Sequence, residues 1–452
     1  MVSVRKISVF GVGRVGLVTA ACFASKGLQT VCFDVDDHII SVVNQGKAPF
    51  FEPTLSELVG SSVKAGFLIA TTDFAEAVLG TDATFITVGT PSTKDGRIDL
   101  THMKRACKMI GEALRRKSSW HLVITKSTVL PTTTETIVKP MLERISRKKC
   151  PDAFGVCVNP EFLREGSAVQ DALRPDRIII GELGKESGDA LESLYRDFYG
   201  AQLPPTIRTT PANAELIKYA NNAYLAVKIS FINNVANLCQ RIPGADIESV
   251  ARGIGLDNRI GSLFLKAGLG WGGSCLPKDV RAISEFSKSL RTSVPVIDAA
   301  FHTNETQPTR AIHLAEQVLG SLKGKRVALL GLSFKPGTDD MRDAVSVKIV
   351  KGLLKKGAKV TAYDPYAMAN AKRILGSKIQ MCSSALDCIN GAECCIVVTE
   401  WDEFKRMEPI EFKSRMKRPI VVDGRRILDP DRFAREVEYV AIGLGSMSPA
   451  RA

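Results

Sequence analysis

The chain has 452 residues, of which 45% are hydrophobic and 24% charged, and this composition excludes a disordered or fibrous protein. Its net charge of +13 comes from basic residues spread along the chain, which suits phosphate-bearing ligands better than nucleic acid. Eleven cysteines without paired spacing indicate neither a disulfide framework nor a metal site, and with no signal-peptide core or membrane-length apolar run we expect a cytoplasmic protein with no membrane or nucleic-acid partner.

Short β-rich runs alternate with helical patterns over the first part of the chain. The predicted strands are 4–10, 31–34, 85–88, 122–125, 156–158 and 178–180. Such alternation is typical of a parallel sheet wound by helices on both faces.

From about residue 212 to residue 240, apolar residues recur at helical spacing and predict one helix about 40 Å long. A helix of this length suits a spine between two domains and a dimer interface. Strand-like runs then resume at 326–330, 360–363, 395–398 and 420–422. The last residues, 445–452, are expected to form a frayed tail.

We therefore predict an α/β fold of two Rossmann-like, doubly wound domains joined by a central long-helix region. The predicted domains are an N-terminal one of residues 1–205, a central helical one of residues 206–305 and a C-terminal one of residues 306–452.

A GxGxxG turn follows the first predicted strand and opens a helix; its residues are Gly11, Val12, Gly13, Arg14, Val15 and Gly16. In such a turn the first glycine permits the bend, the second lets the backbone approach a pyrophosphate, and the third lets the helix pack on the strand. Asp34 ends the next strand and is expected to bind the adenosine ribose, and no Arg follows it to hold a 2′-phosphate. This pattern selects NAD over NADP, the alternative being a glycine turn that binds nothing.

A second cofactor contact is predicted where another strand ends, at the carboxyl edge where ligands of such sheets bind. Its residues are Val88, Gly89, Thr90 and Pro91.

Cys275 lies in a glycine-rich segment, 268–279, just before the predicted start of a helix at Pro277 and Lys278. A thiol at a helix N-terminus, with a lysine three residues on, has the setting that favours a reactive thiolate, and the glycines are expected to leave room for a substrate. A small buried core residue is an equally good interpretation of this cysteine.

Two further patterns carry polar groups. Lys218 and Asn222 are four positions apart on the long helix and so project from one face, for which a solvated surface is the simpler interpretation. Segment 159–165 places Glu161 and Glu165 beside a predicted strand end.

Seven motifs follow one another along the chain: the GxGxxG turn, VGTPS, KSTV, NPEFLREGSA, ELIKYANNAYLAVKISFINN, GLGWGGSCLPKD and GLSFKPGTDDMRDAVS. In these motifs and their order the chain resembles the UDP-glucose/GDP-mannose dehydrogenase family over nearly its whole length. The resemblance implies an N-terminal NAD domain, a helical centre that forms a homodimer, and a C-terminal domain that binds the nucleotide of a UDP-sugar.

The resemblance also implies catalytic roles at the matching positions. Cys275 matches the nucleophile, and Lys218 and Asn222 match the pair that stabilises the oxyanion. Asp279 matches an acid that helps to activate water. Glu161 matches a carboxylate used in proton transfer, and Thr128 matches a hydroxyl that holds the catalytic water.

Binding roles carry over in the same way. The implied cofactor contacts beyond the turn are Thr128, Glu165, Lys278 and Arg342. The implied substrate contacts are Glu161, Phe162, Leu163, Arg164, Lys218, Asn222, Arg259, Lys266, Gly270, Gly272, Phe334, Lys335 and Arg425. Arg259 is expected to reach the site of the partner subunit. Ile39 stands where family members often have Lys or Arg, which leaves that ribose contact open.

The implied reaction is an NAD-dependent oxidation of a hexose C6 alcohol to a carboxylate, through a thiohemiacetal and a thioester on Cys275. The segment RIGSLFLKAGLGWGG favours UDP-glucose, which would give UDP-glucuronate. GDP-mannose is the alternative because of Leu276, while Ser274 disfavours UDP-N-acetyl-mannosamine, for which a His is usual. A silent NAD-binding scaffold is disfavoured because it has no need of the whole catalytic set.

Overall fold

The computed structural model describes residues 4–93 and 95–446, so most of the predicted tail lies outside the described residues. The chain divides into two compact units, Met1–Asn221 and Asn222–Ala452. Within the described ranges, no helix is both long and apolar enough to cross a membrane, and no three His, Cys, Asp or Glu side chains are grouped to hold a metal ion.

The first unit contains one sheet of eight strands: β1 Lys6–Phe10, β2 Gln29–Phe33, β3 Leu68–Thr71, β4 Ala83–Ile86, β5 Leu122–Thr125, β6 Gly155–Val158, β7 Ile178–Glu182 and β8 Thr206–Thr209. Their order is β3-β2-β1-β4-β5-β6-β7-β8. The first six strands have the order of a doubly wound dinucleotide-binding sheet. All neighbours are parallel except β6 and β7, which are antiparallel.

The helices of this unit are α1 Arg14–Ser25, α2 Asp37–Asn44, α3 Leu55–Lys64, α4 Phe74–Leu79, α5 Thr101–Arg116, α6 Lys139–Ser146, α7 Ala168–Leu173 and α8 Lys185–Tyr199. A π-helical turn, Thr134–Val138, leads into α6. The side chains of Asp36 and Asp73 cap the N-termini of α2 and α4 by accepting backbone N–H bonds. Successive strand residues point to opposite faces of the sheet, and Val9 and Phe10 accordingly belong to separate apolar clusters. Helices therefore cover both faces of this sheet.

The long predicted helix is present as α9, Pro211–Cys239, which begins in the first unit and ends in the second. Proline suits its first position because the N–H that proline lacks has no partner inside a helix there.

The remaining helices are α10 Ile247–Gly255, α11 Leu276–Ser289, α12 Pro295–Thr306, α13 Thr309–Leu319, α14 Val345–Lys355, α15 Met368–Leu375, α16 Ala385–Ile389, α17 Asp402–Lys405, α18 Pro409–Arg415 and α19 Pro430–Phe433. They accompany β9 Arg326–Leu330, β10 Lys359–Tyr363, β11 Gln380–Met381, β12 Cys394–Val397, β13 Ile420–Asp423 and β14 Glu438–Ala441. These six strands form a wholly parallel sheet in the order β11-β10-β9-β12-β13-β14. The order repeats that of the first sheet, which confirms the prediction of two Rossmann-like domains.

All ten predicted strands are present, and the sequence reading missed four: β3, β8, β11 and β14. These four are the edge strands of the two sheets. An edge strand is covered less completely than a central one, so its sequence lacks the continuous apolar run by which the inner strands were recognised. Because β8 belongs to it, the first sheet extends to Thr209, four residues beyond residue 205, the predicted end of the N-terminal domain.

Candidate active site

The glycine turn after β1 has the geometry of a dinucleotide site. Gly11 has a φ of +98°, and its N–H donates to the Phe33 carbonyl at 2.8 Å. A Cβ on Gly16 would collide with the Gly11 carbonyl oxygen, whereas a Cβ on Gly13 would meet nothing within 4 Å. Gly16 therefore lets α1 pack on the turn, and Gly13 leaves the backbone open to a ligand at the N-terminus of α1.

Asp34 completes this site at the end of β2. Its Oδ2 accepts the Val12 N–H at 2.7 Å, and the side chain stays half-buried. Arg14 extends over the Phe50 ring at 5.2 Å and donates to the Phe51 carbonyl. Gly13 precedes α1 without a side-chain cap, so the first N–H groups of the helix are available. These residues fit a bound dinucleotide.

The ends of β4 and β5 lie together at the same edge. Thr90 Oγ1 donates to the Thr128 carbonyl at 2.8 Å, and Ser127 Oγ donates to the Val88 carbonyl at 2.7 Å. Gly89 is exposed, with open space where a side chain would be. The structure thus brings together two segments that the sequence places almost forty residues apart.

Lys218 and Glu161 form a buried ion pair in the first unit. Lys218 is only 4% exposed, and its Nζ lies 3.0 Å from Glu161 Oε1 and donates to the Glu161 carbonyl at 2.6 Å. Burial acts to raise the pKa of Glu161, but Lys218 and the Leu163 N–H hold that pKa below its usual range. The interpretation of Lys218 as a solvated surface residue is therefore wrong.

Lys126 is a buried lysine of this region that the sequence reading overlooked. It directly follows β5, and its Nζ donates to Asn159 Oδ1 at 2.8 Å. Burial lowers the pKa of Lys126 to about 8, with Glu161 acting in the opposite direction. The sequence signals that point to it are its place at the end of an apolar strand and its position as the first residue of the KSTV motif.

A second overlooked residue is Glu52, which holds the loop that carries Glu161 and Glu165. Glu52 is buried, and its two carboxylate oxygens accept the N–H groups of Gly166 and Ala168, each at 2.8 Å. No local pattern indicates this role, because the partners are more than a hundred residues away.

Other predicted substrate contacts on this loop have protein partners. Arg164 pairs with Asp171 at 2.6 Å, and the Phe162 ring lies 4.0 Å from the Arg177 guanidinium. The loop is thus anchored on both sides of Leu163.

Cys275 stands at the N-cap of α11 in the second unit, with Pro277 in the first turn. It is exposed, whereas nine of the eleven cysteines are buried and Cys150 is half-buried. Burial raises the pKa of thiols such as Cys22 and Cys107 to about 12. Its exposure therefore distinguishes Cys275 from the other ten cysteines, and the interpretation of Cys275 as a small buried core residue is wrong.

A buried carboxylate follows one turn later. Asp279 Oδ2 accepts a hydrogen bond from the side-chain amide of Asn222 at 2.6 Å, and Asp279 Oδ1 accepts one from Lys278 Nζ at 2.5 Å. Asn222 is only 5% exposed, so this residue too is no surface group. Asp279 is thus held by one hydrogen bond on each of its carboxylate oxygens.

The glycines before Cys275 serve the packing of the loop itself. A Cβ on Gly270 would lie 2.6 Å from Asn304 Oδ1, and one on Gly272 would lie 2.5 Å from the Asp343 carbonyl oxygen. A Cβ on Gly273 would lie 2.7 Å from the Phe334 ring. The expectation that these glycines leave side-chain room for a substrate is wrong, because atoms of the protein occupy that room.

Some predicted substrate residues of the second unit lie together. Arg425 Nη1 donates to the Gly270 carbonyl at 3.2 Å, and Lys335 Nζ lies 5.5 Å from the Phe334 ring. Two others show no hydrogen bond or ion pair to this group among the described residues: Lys266 is exposed, and Arg259 pairs with Asp257 at 2.6 Å. Arg342, a predicted cofactor contact, pairs with Asp340 at 2.6 Å.

The second sheet contains the same kind of turn as the dinucleotide site, but its carboxylate, Asp364, is not accessible as Asp34 is. Gly331 has a φ of +102°, and Leu332 N–H donates to Asp364 Oδ2 at 2.7 Å, as Val12 does to Asp34. Asp364 is fully buried and also accepts from Trp401 Nε1, Ser333, Tyr366 and Ala367. Its lone pairs are thus occupied within the protein, so Asp364 cannot bind a ribose as Asp34 is expected to do.

An open dinucleotide turn and a buried Lys–Glu pair in the first unit, with an exposed thiol at a helix N-terminus in the second, are the features of an NAD-dependent oxidoreductase. Residues 5–199, 212–306 and 328–430 match, respectively, the NAD binding domain, the central domain and the UDP binding domain of the UDP-glucose/GDP-mannose dehydrogenase family. The chain belongs to this family, which confirms the resemblance seen in its motifs and NAD as the cofactor.

Individual relatives resemble the chain over almost its whole length. It is 45% identical to the UDP-glucose 6-dehydrogenase AglM of Haloferax volcanii, with 94% of this chain and 97% of that protein covered. It is 41% identical to the UDP-glucose 6-dehydrogenase TuaD of Bacillus subtilis, with 97% and 93% covered. The structure of a UDP-glucose dehydrogenase from Pyrobaculum islandicum is similar with a TM-score of 0.90 at 39% identity, with 97% and 98% covered.

Proposed function

We propose that the protein oxidises the C6 alcohol of UDP-glucose to the carboxylate of UDP-glucuronate. The reaction consumes two NAD⁺ and one water and gives two NADH and three protons. The names of the relatives at 41–45% identity and the match to the UDP binding domain support this substrate. The observation that carries the chemistry is the exposure of one cysteine, Cys275, among eleven.

In this proposal NAD is held by the glycine turn, by Asp34 and by segment 88–91. NAD, when bound, supplies the hydride acceptor. Backbone N–H groups at the start of α1 bind the pyrophosphate, and Asp34 binds the adenosine ribose. The cofactor contacts of Thr128, Glu165, Lys278 and Arg342 stay predictions.

Lys218 and Asn222 serve the first oxidation. As the C6 alcohol loses its hydride, negative charge develops on its oxygen, and a buried ammonium and an amide stabilise that charge better than water does. Glu161 holds Lys218 in place at 3.0 Å and takes part in passing the hydroxyl proton to solvent.

Cys275 serves the second oxidation. Its thiolate adds to the aldehyde carbon and forms a C–S bond, which retains the aldehyde as a thiohemiacetal. Oxidation of that carbon gives a thioester. Water oriented by Thr128, Glu161 and Asp279 then adds to the thioester, the C–S bond breaks, and Cys275 leaves as the thiolate.

The same proposal assigns NAD binding to residues 1–205, dimerisation to 206–305 and UDP-sugar binding to 306–452. The substrate contacts it includes are Glu161, Phe162, Leu163, Arg164, Lys218, Asn222, Arg259, Lys266, Gly270, Gly272, Phe334, Lys335 and Arg425. The eleven free cysteines suit the reducing environment of the cytoplasm.

A homodimer is supported by apolar side chains along α9. Tyr224, Phe231 and Leu238 follow one another at seven-residue intervals and are 61%, 53% and 63% exposed. Residues seven apart lie on one helix face, so these side chains form a stripe that a second α9 would cover. Arg259, which is exposed, is then the residue that reaches the partner's site.

Mixing the protein with NAD and a limiting sugar nucleotide, while the near-ultraviolet absorbance of NADH is recorded, tests the proposal. Two NADH per UDP-glucose are expected. A preference for GDP-mannose or UDP-N-acetyl-mannosamine would overturn the substrate, one NADH per sugar would overturn the thioester route, and no NADH with any of them would favour a silent scaffold.

A further inference from the structure

Three lysines are buried in the first unit: Lys218 pairs with Glu161, whereas Lys117 and Lys126 are each held in a different way. Lys117 Nζ donates to the carbonyls of Val78, Leu79 and Thr81, at the C-terminus of α4. Such a bond set suits an ammonium that caps a helix end. Lys117 therefore has a structural role that accounts for its burial.

Lys126 lacks such an explanation. It is 8% exposed, and its Nζ donates to the Asn159 side chain at 2.8 Å. Among the described residues, no carboxylate lies within ion-pair distance of Lys126. Burying a charge without such a partner destabilises a fold, so the chain retains Lys126 at this position for another reason.

The charges that act on Lys126 are those of the proposed active site. Glu161 acts to raise the pKa of Lys126, Lys218 acts to lower it, and Lys126 in turn acts to lower the pKa of Glu161. The connection is also geometric, because Asn159 lies two residues before Glu161 on the same strand end and Tyr195 OH donates to the same Asn159 oxygen.

Lys126, Asn159 and Glu161 line one cavity of about 190 Å³. Arg164 and Asp171 face it as an ion pair, and Arg174, Asp176 and Arg177 carry the remaining charges. Burial raises the pKa of Tyr195, of Tyr199 and of Cys22, so these groups do not ionise near neutral pH. Glu161 and Lys218 are therefore the two charged groups that act directly on the pKa of Lys126.

We propose that Lys126 is a positioning residue for Glu161: its ammonium, held by Asn159, stabilises the carboxylate form of Glu161 and keeps the Glu161–Lys218 pair in place for proton transfer. This inference rests on the proposed role of Glu161. The three side chains carry a net charge of +1, which favours a negative charge developing on the substrate oxygen.

The test replaces Lys126 by methionine, which keeps the length of the side chain and removes its charge. Without the nearby cation, Glu161 binds a proton more readily, so the acid limb of kcat/KM should move to higher pH. At the acidic end kcat/KM should therefore fall below that of the wild type, while at the optimum it should change less. Lys126→Arg keeps the charge and should keep the limb of the wild type.

Lys117→Met is the matched control, because it removes a buried ammonium of the same unit that has no part in the proposed active site. It should lower the melting temperature and leave the pH profile unchanged. The inference is overturned if folded Lys126→Met has the acid limb of the wild type, or if it only loses stability as Lys117→Met does.

Glu161→Gln separates this inference from the proposed function, using whichever sugar nucleotide yields NADH. A fully active Glu161→Gln enzyme overturns the role of Glu161 and the inference with it. An inactive Glu161→Gln enzyme together with an unshifted Lys126→Met profile overturns the inference alone.

Discussion

The carboxylate of Glu52 accepts the backbone N–H of Gly166 at 2.8 Å although 114 positions separate the two residues. The other carboxylate oxygen accepts the Ala168 N–H, so one buried side chain fixes the end of the loop that carries Glu161. Glu52→Gln turns one acceptor into a donor that faces an N–H group and leaves that N–H unsatisfied, which costs about 1–3 kcal/mol. We expect KM for the sugar nucleotide to rise several-fold, with a smaller change in kcat. Glu57→Gln, on the exposed face of α3, should change neither; equal kinetics for both variants would contradict the role of Glu52.

Two glycines of the turn should respond differently to alanine. Gly16→Ala places a Cβ against the Gly11 carbonyl and 2.7 Å from Thr87 Oγ1, and such overpacking destabilises by about 1–3 kcal/mol. Gly13→Ala meets no protein atom, so it should fold normally but bind NAD about tenfold more weakly, because its methyl lies where the pyrophosphate approaches. Thermal melting and calorimetric titration with NAD measure the two effects. Normal NAD affinity in Gly13→Ala would contradict the assigned site.

Cys275→Ser should stop turnover and accumulate a covalent adduct. A serine hydroxyl is a poorer leaving group than a thiol, so the acyl ester that forms is hydrolysed slowly. Mass spectrometry of the protein after mixing with NAD and UDP-glucose should show one added acyl group per chain. Cys150→Ser is the control and should turn over normally. Normal turnover of Cys275→Ser without an adduct would eliminate the nucleophile.

Glu215 predicts a pH dependence of stability. Its Oε1 accepts the Thr134 N–H at 2.9 Å, and burial raises its pKa to about 7, above the ordinary value of 4.5. The folded state therefore binds this proton more tightly than the unfolded state. The stabilisation is complete below about pH 4.5 and is lost as the pH rises through about 7.

Glu215→Gln stays neutral, so above pH 7 it should be more stable than the wild type, by at most about 3 kcal/mol. Melting curves of both proteins between about pH 5 and about pH 8.5 check this. Parallel pH dependences would show that Glu215 does not titrate in this range.

Phe231→Glu should separate the proposed dimer, because a charge in the middle of the apolar stripe on α9 is left without a partner when the stripe is covered. Light scattering after size-exclusion chromatography should give the mass of one chain. Ile410→Glu changes an equally exposed apolar residue on α18 and should leave the mass unchanged. A dimer in both variants would place the interface elsewhere.

Sequence reading recovered the inner strands, α9 and the glycine turn because each leaves a local pattern. It missed the edge strands, which have weaker apolar runs. Lys218 and Asn222 were misjudged as surface residues from the sequence alone, since their burial depends on Glu161 and Asp279, which are fifty-seven positions away in each case. Glu52 and Lys126 were missed for the same reason: their partners are far away along the chain.

The two sheets contain the same turn, with a carboxylate at the same place, yet only Asp34 is available to a ligand. Asp364 is enclosed by Trp401 and by the backbone of its own loop. Opening a second dinucleotide site in the C-terminal sheet would therefore require more than surface substitutions, because releasing Asp364 removes the bonds that shape the loop. In a chain with two copies of one scaffold, these internal hydrogen bonds make the two sheets unequal as places for a dinucleotide.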